Sequence, residues 1–123
     1  MTHIKSWKDI FENFVDDKQI QDYSYKNLLK AAGHYNSKSG GYRVNEWIKE
    51  CRLIENKISL KKKDKLLEIG SGSGALLKFF SKKNKIYGVD YSVSLLSLAK
   101  KALPSGKFIL CEANKINFNK SFF

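Results

Sequence analysis

The stretch Leu66-Leu67-Glu68-Ile69-Gly70-Ser71-Gly72-Ser73-Gly74-Ala75-Leu76-Leu77 constrains this chain more than any other. A short apolar run with one acid is followed by three alternate glycines, then by apolar residues at helical spacing. The pattern predicts a buried strand, a tight turn and a helix packed on a sheet through Leu76, Leu77, Phe79 and Phe80. Glycine adopts backbone angles costly to other residues and lets a ligand approach the main chain. A helix start carries free N–H groups and partial positive charge, so a polar or anionic ligand group is expected there.

The same alternation of strand and helix continues downstream. Strands are expected over about Lys65–Ile69, Lys85–Val89 (ending at Asp90) and Lys107–Cys111, with helices over about Gly74–Lys82 and from Ser92 onward. Ser92 suits an N-cap, and the helix it starts carries Val93, Leu95, Leu96, Ala99 and Leu103. Pro104 and Gly106 punctuate its end. This β-α-β-α-β order implies an α/β fold with a Rossmann-like parallel sheet, right-handed crossovers and strand order 3-2-1. The chain stops at Phe123. A doubly wound sheet continues beyond its first strand, so residues 61–123 are expected to be the first half of a larger domain, truncated here. The first strand then becomes an open apolar edge through which the chain could oligomerise.

Ahead of this region the reading is helical. Trp7, Ile10, Phe11, Phe14 and Val15 mark one amphipathic face. A short helix over about Ser24–Ala32 turns Leu28 and Leu29 inward and ends at Gly33. A longer helix places Val44, Trp47, Ile48, Cys51, Ile54 and Ile58 on one side. Residues 1–60 thus read as a helical cap or lid. The Gly33–Tyr42 loop, with His34, Tyr35 and Tyr42 followed by Arg43, is the candidate lid; Gly40-Gly41 could hinge it. No catalytic residue is assigned, and His34 is the candidate general base.

Composition narrows the classes. The net charge is +11, from 23 Lys+Arg against 12 Asp+Glu, which raises the case for an anionic partner. Only Arg43 and Arg52 are arginines, and lysine is a solvated point charge ill suited to bidentate recognition. Lys61, Lys62, Lys63, Lys65, Lys82, Lys83, Lys85 and Lys107 precede the three strands, so they fall at the amino edge of the sheet, opposite the ligand edge. Nucleic acid is therefore possible but not favoured, and a small-molecule partner is. Cys51 and Cys111 form no metal-site spacing with His3 and His34, and both are expected to be reduced and buried. No metal is expected. No apolar run approaches a membrane span of roughly 20 residues, and the acid-bearing N-terminus is no signal peptide. The expected compartment is cytoplasmic.

Three strand-end motifs then converge. Glu68-Ile69-Gly70-Ser71-Gly72-Ser73-Gly74, Val89-Asp90-Tyr91-Ser92 and Phe108-Ile109-Leu110-Cys111-Glu112-Ala113-Asn114 together resemble class I S-adenosylmethionine-dependent methyltransferases over about residues 60–123. The resemblance implies S-adenosyl-L-methionine as cofactor and methyl transfer to an unidentified small-molecule acceptor. It also implies that the chain alone is inactive because it is truncated. By that resemblance Gly70, Ser71, Gly72 and Gly74 line the methionine end and Glu68 supports its cationic group. Glu112 and Ala113 meet the adenine edge. Asp90 lies about 20 residues past the glycines, where an acid meets a ribose diol, and Tyr91 lies beside the adenine. Gly70-x-Gly72-x-x-Ala75 also fits the dinucleotide fingerprint, leaving an NAD-dependent oxidoreductase as competitor. Gly74, Glu68 and Glu112-Ala113 are extra matches that a dinucleotide site does not need. An RNA methyltransferase and a non-catalytic interaction module complete the alternatives.

Overall fold

The computed structural model describes residues 22–33, 43–118 and 122–123. The amphipathic stretch around Trp7 and the candidate lid with His34 lie outside these residues. Two helices, α1 (Tyr25–Ala31) and α2 (Val44–Ile58), precede the sheet. The order is then β1 (Lys65–Ile69), α3 (Ala75–Phe80), β2 (Lys85–Asp90), α4 (Val93–Ala102), β3 (Lys107–Leu110) and a short 3-10 turn, Ala113–Lys115.

The three strands are parallel in the order β1-β2-β3, with Glu68 beside Gly88 and Val89 beside Ile109. This is the incomplete Rossmann-like sheet that the alternation predicts. Both crossover helices pack on one face, where Leu77, Phe80, Ile86, Leu96, Ala99 and Phe108 form the main core. Leu77 is fully buried, which is worth roughly 1.5–3 kcal/mol for a leucine. Side chains alternate across a strand, so Tyr87 projects to the other face and meets the rings of Phe122 and Phe123 at 5.3 and 5.2 Å.

Local signals set the element ends. Ser24 and Ser92 cap α1 and α4 by accepting from Asn27 N–H and Leu95 N–H. Gly33, at φ 77°, closes α1 in the left-handed region. The helix α3 stops at Phe80, two residues before expectation, where the Ser81 hydroxyl bonds back to the Lys78 carbonyl.

Several burial expectations are corrected. β1 is only half-buried, and Ile69 is 57% exposed. Helices cover one face of that strand, and among the described residues nothing pairs with its outer edge. Ile58 and Val93 are exposed because they sit at helix termini that overhang the core. Leu98, absent from the expected inward set, is buried against Leu28 and Ala75. Cys51 is buried, but Cys111 is partly exposed because β3 ends at Leu110, one residue before it. Among the described residues no helix is long and apolar enough to cross a membrane.

Candidate functional site

The glycine turn is held by two kinds of bond. Gly70 and Ser71 donate their N–H groups to the Val89 carbonyl at 2.7 and 3.0 Å, tying the exit of β1 to the end of β2. Asp90 then grips the turn with its side chain. Its Oδ2 accepts from Gly72 N–H and its Oδ1 from Ser92 N–H, both at 2.9 Å. Both oxygens therefore hold backbone, and each keeps lone-pair capacity for a further donor. Gly70, Gly72 and Gly74 all lie at positive φ, between 54° and 85°. At Gly74 a Cβ would also come within 3.0 Å of Leu103, so both backbone and space require glycine there.

A second close approach lies one strand over. A Cβ on Gly88 would fall 2.6 Å from both Ser71 Oγ and Phe108 Cδ1. The absence of a side chain at Gly88 lets the turn settle onto β2. Ser71 Oγ is buried there with no hydrogen-bond partner.

Two carboxyl groups near the turn influence each other electrostatically. Burial, and then the nearby Asp90 carboxylate, push the Glu68 carboxyl up to about 8. Burial, then Glu68 and Glu50, push the Cys51 thiol on α2 up to about 11. Glu68 is thus a partly buried acid with no hydrogen bond among the described residues, a site that a cationic group would stabilise.

At the strand ends a cleft of about 150 Å³ is lined by Ile69, Gly70, Val89, Asp90, Tyr91, Cys111 and Ala113. It unites residues of all three sequence motifs. A Cβ built on Gly70 would meet nothing within 4 Å, so the backbone there faces open space. Glu112 is not among the lining residues; its carboxylate pairs with Lys115 at 3.4 Å and is 63% exposed. Sequence reasoning missed Ile69, Val89 and Cys111 as walls. Their strand-end positions were the available signal.

The amino terminus of α3, where a diphosphate would sit in a dinucleotide fold, is roofed by α1. The Ser73 hydroxyl donates to the Leu28 carbonyl at 2.7 Å, and Ala75 packs against Leu28, Leu29 and Ala31. At the far end of the strands Lys61, Lys62, Lys82 and Lys83 line a separate cleft, as the placement of the lysines at the amino edge requires.

Residues 67–123 match a family model described as a methyltransferase domain. No curated protein matches the chain significantly. Among solved structures, coclaurine N-methyltransferase bound to N-methylheliamine and S-adenosylhomocysteine is similar at TM-score 0.57 and 16% identity, over 88% of this chain and 37% of that one. Phosphoethanolamine N-methyltransferase 2 of Haemonchus contortus, with S-adenosyl-L-methionine, gives 0.54 and 22%, over 89% and 26%. The [4+2]-cyclase SpnF gives 0.54 and 16%, over 68% and 33%. The chain thus spans about a quarter to two-fifths of the length of these structures.

Proposed function

We propose that residues 67–123, which match the model of a methyltransferase domain, act in S-adenosylmethionine-dependent methyl transfer and that the cleft at the strand ends is the cofactor wall of that site. The observation that carries this reading is the cleft itself, in which Gly70, Asp90, Tyr91 and Ala113 come together from three separate motifs.

The residues present fit an adenosyl sulfonium ligand. Gly70 offers bare backbone to open space. The partly buried acid at Glu68 suits the cationic end. Asp90 is held by Gly72 and Ser92, so its remaining lone pairs are preset for two hydroxyl donors of a ribose. Tyr91 and the Ala113 backbone line the adenine side. Glu112 would have to leave Lys115 to reach an adenine amino group. The cleft is smaller than the roughly 300–1,000 Å³ of most small-molecule sites, so the described residues supply one wall of it.

When bound, the cofactor supplies an electrophilic methyl group. The chain's task is to hold the acceptor in line with that methyl and to keep water out. Residues 1–60 serve as a cap in this reading, supported by the seat of α1 over the turn. The acceptor is a small molecule, a reading supported by the small-molecule names of two of the neighbours. Methyl transfer is not the only chemistry on this fold, as the cyclase neighbour illustrates.

Titration calorimetry with S-adenosylhomocysteine and with NAD tests the reading. Binding of the adenosyl compound alone is expected, because α1 roofs the diphosphate position. Binding of NAD alone would replace it with the oxidoreductase.

A further inference from the structure

The end of the sheet opposite the cofactor wall carries a second concavity. It has a volume of about 500 Å³ and is built from two loops, residues 59–64 and 81–84, with Glu55 of α2 on one side. Lys61, Lys62, Lys82 and Lys83 line it, and Glu55 is its single lining acid, 4.0 Å from Lys83.

The loops are stitched into one platform. Lys63 N–H donates to the Lys83 carbonyl at 2.9 Å and Lys85 N–H to the Asp64 carbonyl at 3.1 Å. The Asn84 amide bridges the Lys61 and Asp64 carbonyls at 2.8 and 3.2 Å. Lys61 N–H donates to the Asp64 carboxylate at 2.8 Å, a further tie within the first loop. Lys63 adopts φ 71°, a left-handed conformation unusual for lysine. The backbone is thus fixed while the ammonium groups stay in solvent.

Lysines also complement helix C-termini, and Lys57, Lys78 and Lys100 occupy such last-turn positions. The four cleft lysines lie beyond the helix ends, in the loops.

We propose that this cleft is a docking site for the phosphodiester backbone of single-stranded nucleic acid, engaged without regard to sequence. Concentrated ammonium groups release condensed counterions from a polyphosphate. Lysine binds phosphate as a point charge without bidentate geometry, which suits contact that ignores sequence. The cations line a concavity, which a strand can enter and a flat lipid surface cannot. At about 3.3 Å per strand residue, the cleft lies some 15–20 Å from the cofactor wall. The proposal does not rest on the methyl-transfer reading.

The test is fluorescence anisotropy of a labelled oligouridylate, titrated with the full chain over a series of salt concentrations. Four phosphate contacts predict a log-log salt slope near −3, at about −0.7 per phosphate. The double variant Lys62→Glu/Lys82→Glu should bind at least about tenfold more weakly and flatten the slope by about 1.4. Both side chains are exposed, so its melting curve should match the parent. The control Lys30→Glu/Lys49→Glu makes the same charge change elsewhere and should weaken binding less than about threefold. Equal loss in both variants would mean that net charge alone attracts the RNA, and would overturn the site. So would absence of RNA binding, competition by polyglutamate at equal charge, or binding to phosphatidylserine vesicles in place of RNA.

Discussion

The Asp90 carboxylate accepts the Gly72 N–H at 2.9 Å, so the acid at the end of β2 is also the clasp of the glycine turn after β1. Binding geometry and stability are therefore carried by one side chain. Asp90→Ala strands the amides of Gly72 and Ser92, each costing about 1–3 kcal/mol where buried. A fall of roughly 2–4 kcal/mol in urea unfolding is expected, with loss of S-adenosylhomocysteine binding. Asp90→Asn keeps one acceptor oxygen and should recover part of the stability without the affinity. Lys62→Ala should change neither.

Glu68 makes stability depend on pH. Its folded value of about 8 lies above the ordinary 4.5. The folded state thus binds the proton more tightly than the unfolded chain. The stabilisation is complete below pH 4.5 and is lost as pH rises toward 8, with a slope of up to about 1.4 kcal/mol per unit. Urea denaturation from pH 5 to 8 should show this decline. Glu68→Gln should flatten it and raise stability at neutral pH. A cationic ligand should bind the parent with proton release and the Gln variant without.

Two glycines separate folding from binding. Gly88→Ala places a methyl 2.6 Å from Ser71 Oγ and Phe108 Cδ1, within a packed layer. Overpacking of this kind costs about 1–3 kcal/mol and should lower the melting temperature. Gly70→Ala meets open space and costs only the left-handed backbone, about 1–2 kcal/mol. It should fold yet bind the adenosyl ligand far more weakly, because the methyl enters the cleft. Thermal melts and calorimetry on the pair distinguish the two effects.

Ser73 ties α1 to the turn through the Leu28 carbonyl at 2.7 Å. Ser73→Ala should cost about 1–3 kcal/mol and raise hydrogen exchange in α1 before α4. Equal exchange in both helices would contradict the role of Ser73 as the anchor of the cap.

Much of this was legible in the residues because the chain uses strong local signals. Ser92 caps, Gly33 terminates, and short apolar runs that each follow a lysine fix the three strands. Their parallel pairing follows from the alternating order. Side-chain partnership was less legible. The hold of Asp90 on Gly72 crosses 18 positions and depends on how two turns nest, which periodicity does not encode. The raised Glu68 proton affinity depends on desolvation in the folded chain and on the Asp90 carboxylate of the next strand, which periodicity does not encode. Glu112 was assigned by motif, and its partner Lys115, three residues on, offered a competing local ion pair. The exposure of Ile58 and Val93 reflects helix overhang, which a helical wheel ignores.

The central claim is that one nucleoside-bearing ligand lies across the three strand ends. A nitrogen-15 amide spectrum titrated with S-adenosylhomocysteine tests it most directly. The account predicts saturable shifts at Gly70, Gly72, Tyr91 and Ala113, with Lys62 and Lys83 unmoved. Shifts confined to the lysine end, or absent from the glycine turn at saturation, would contradict it.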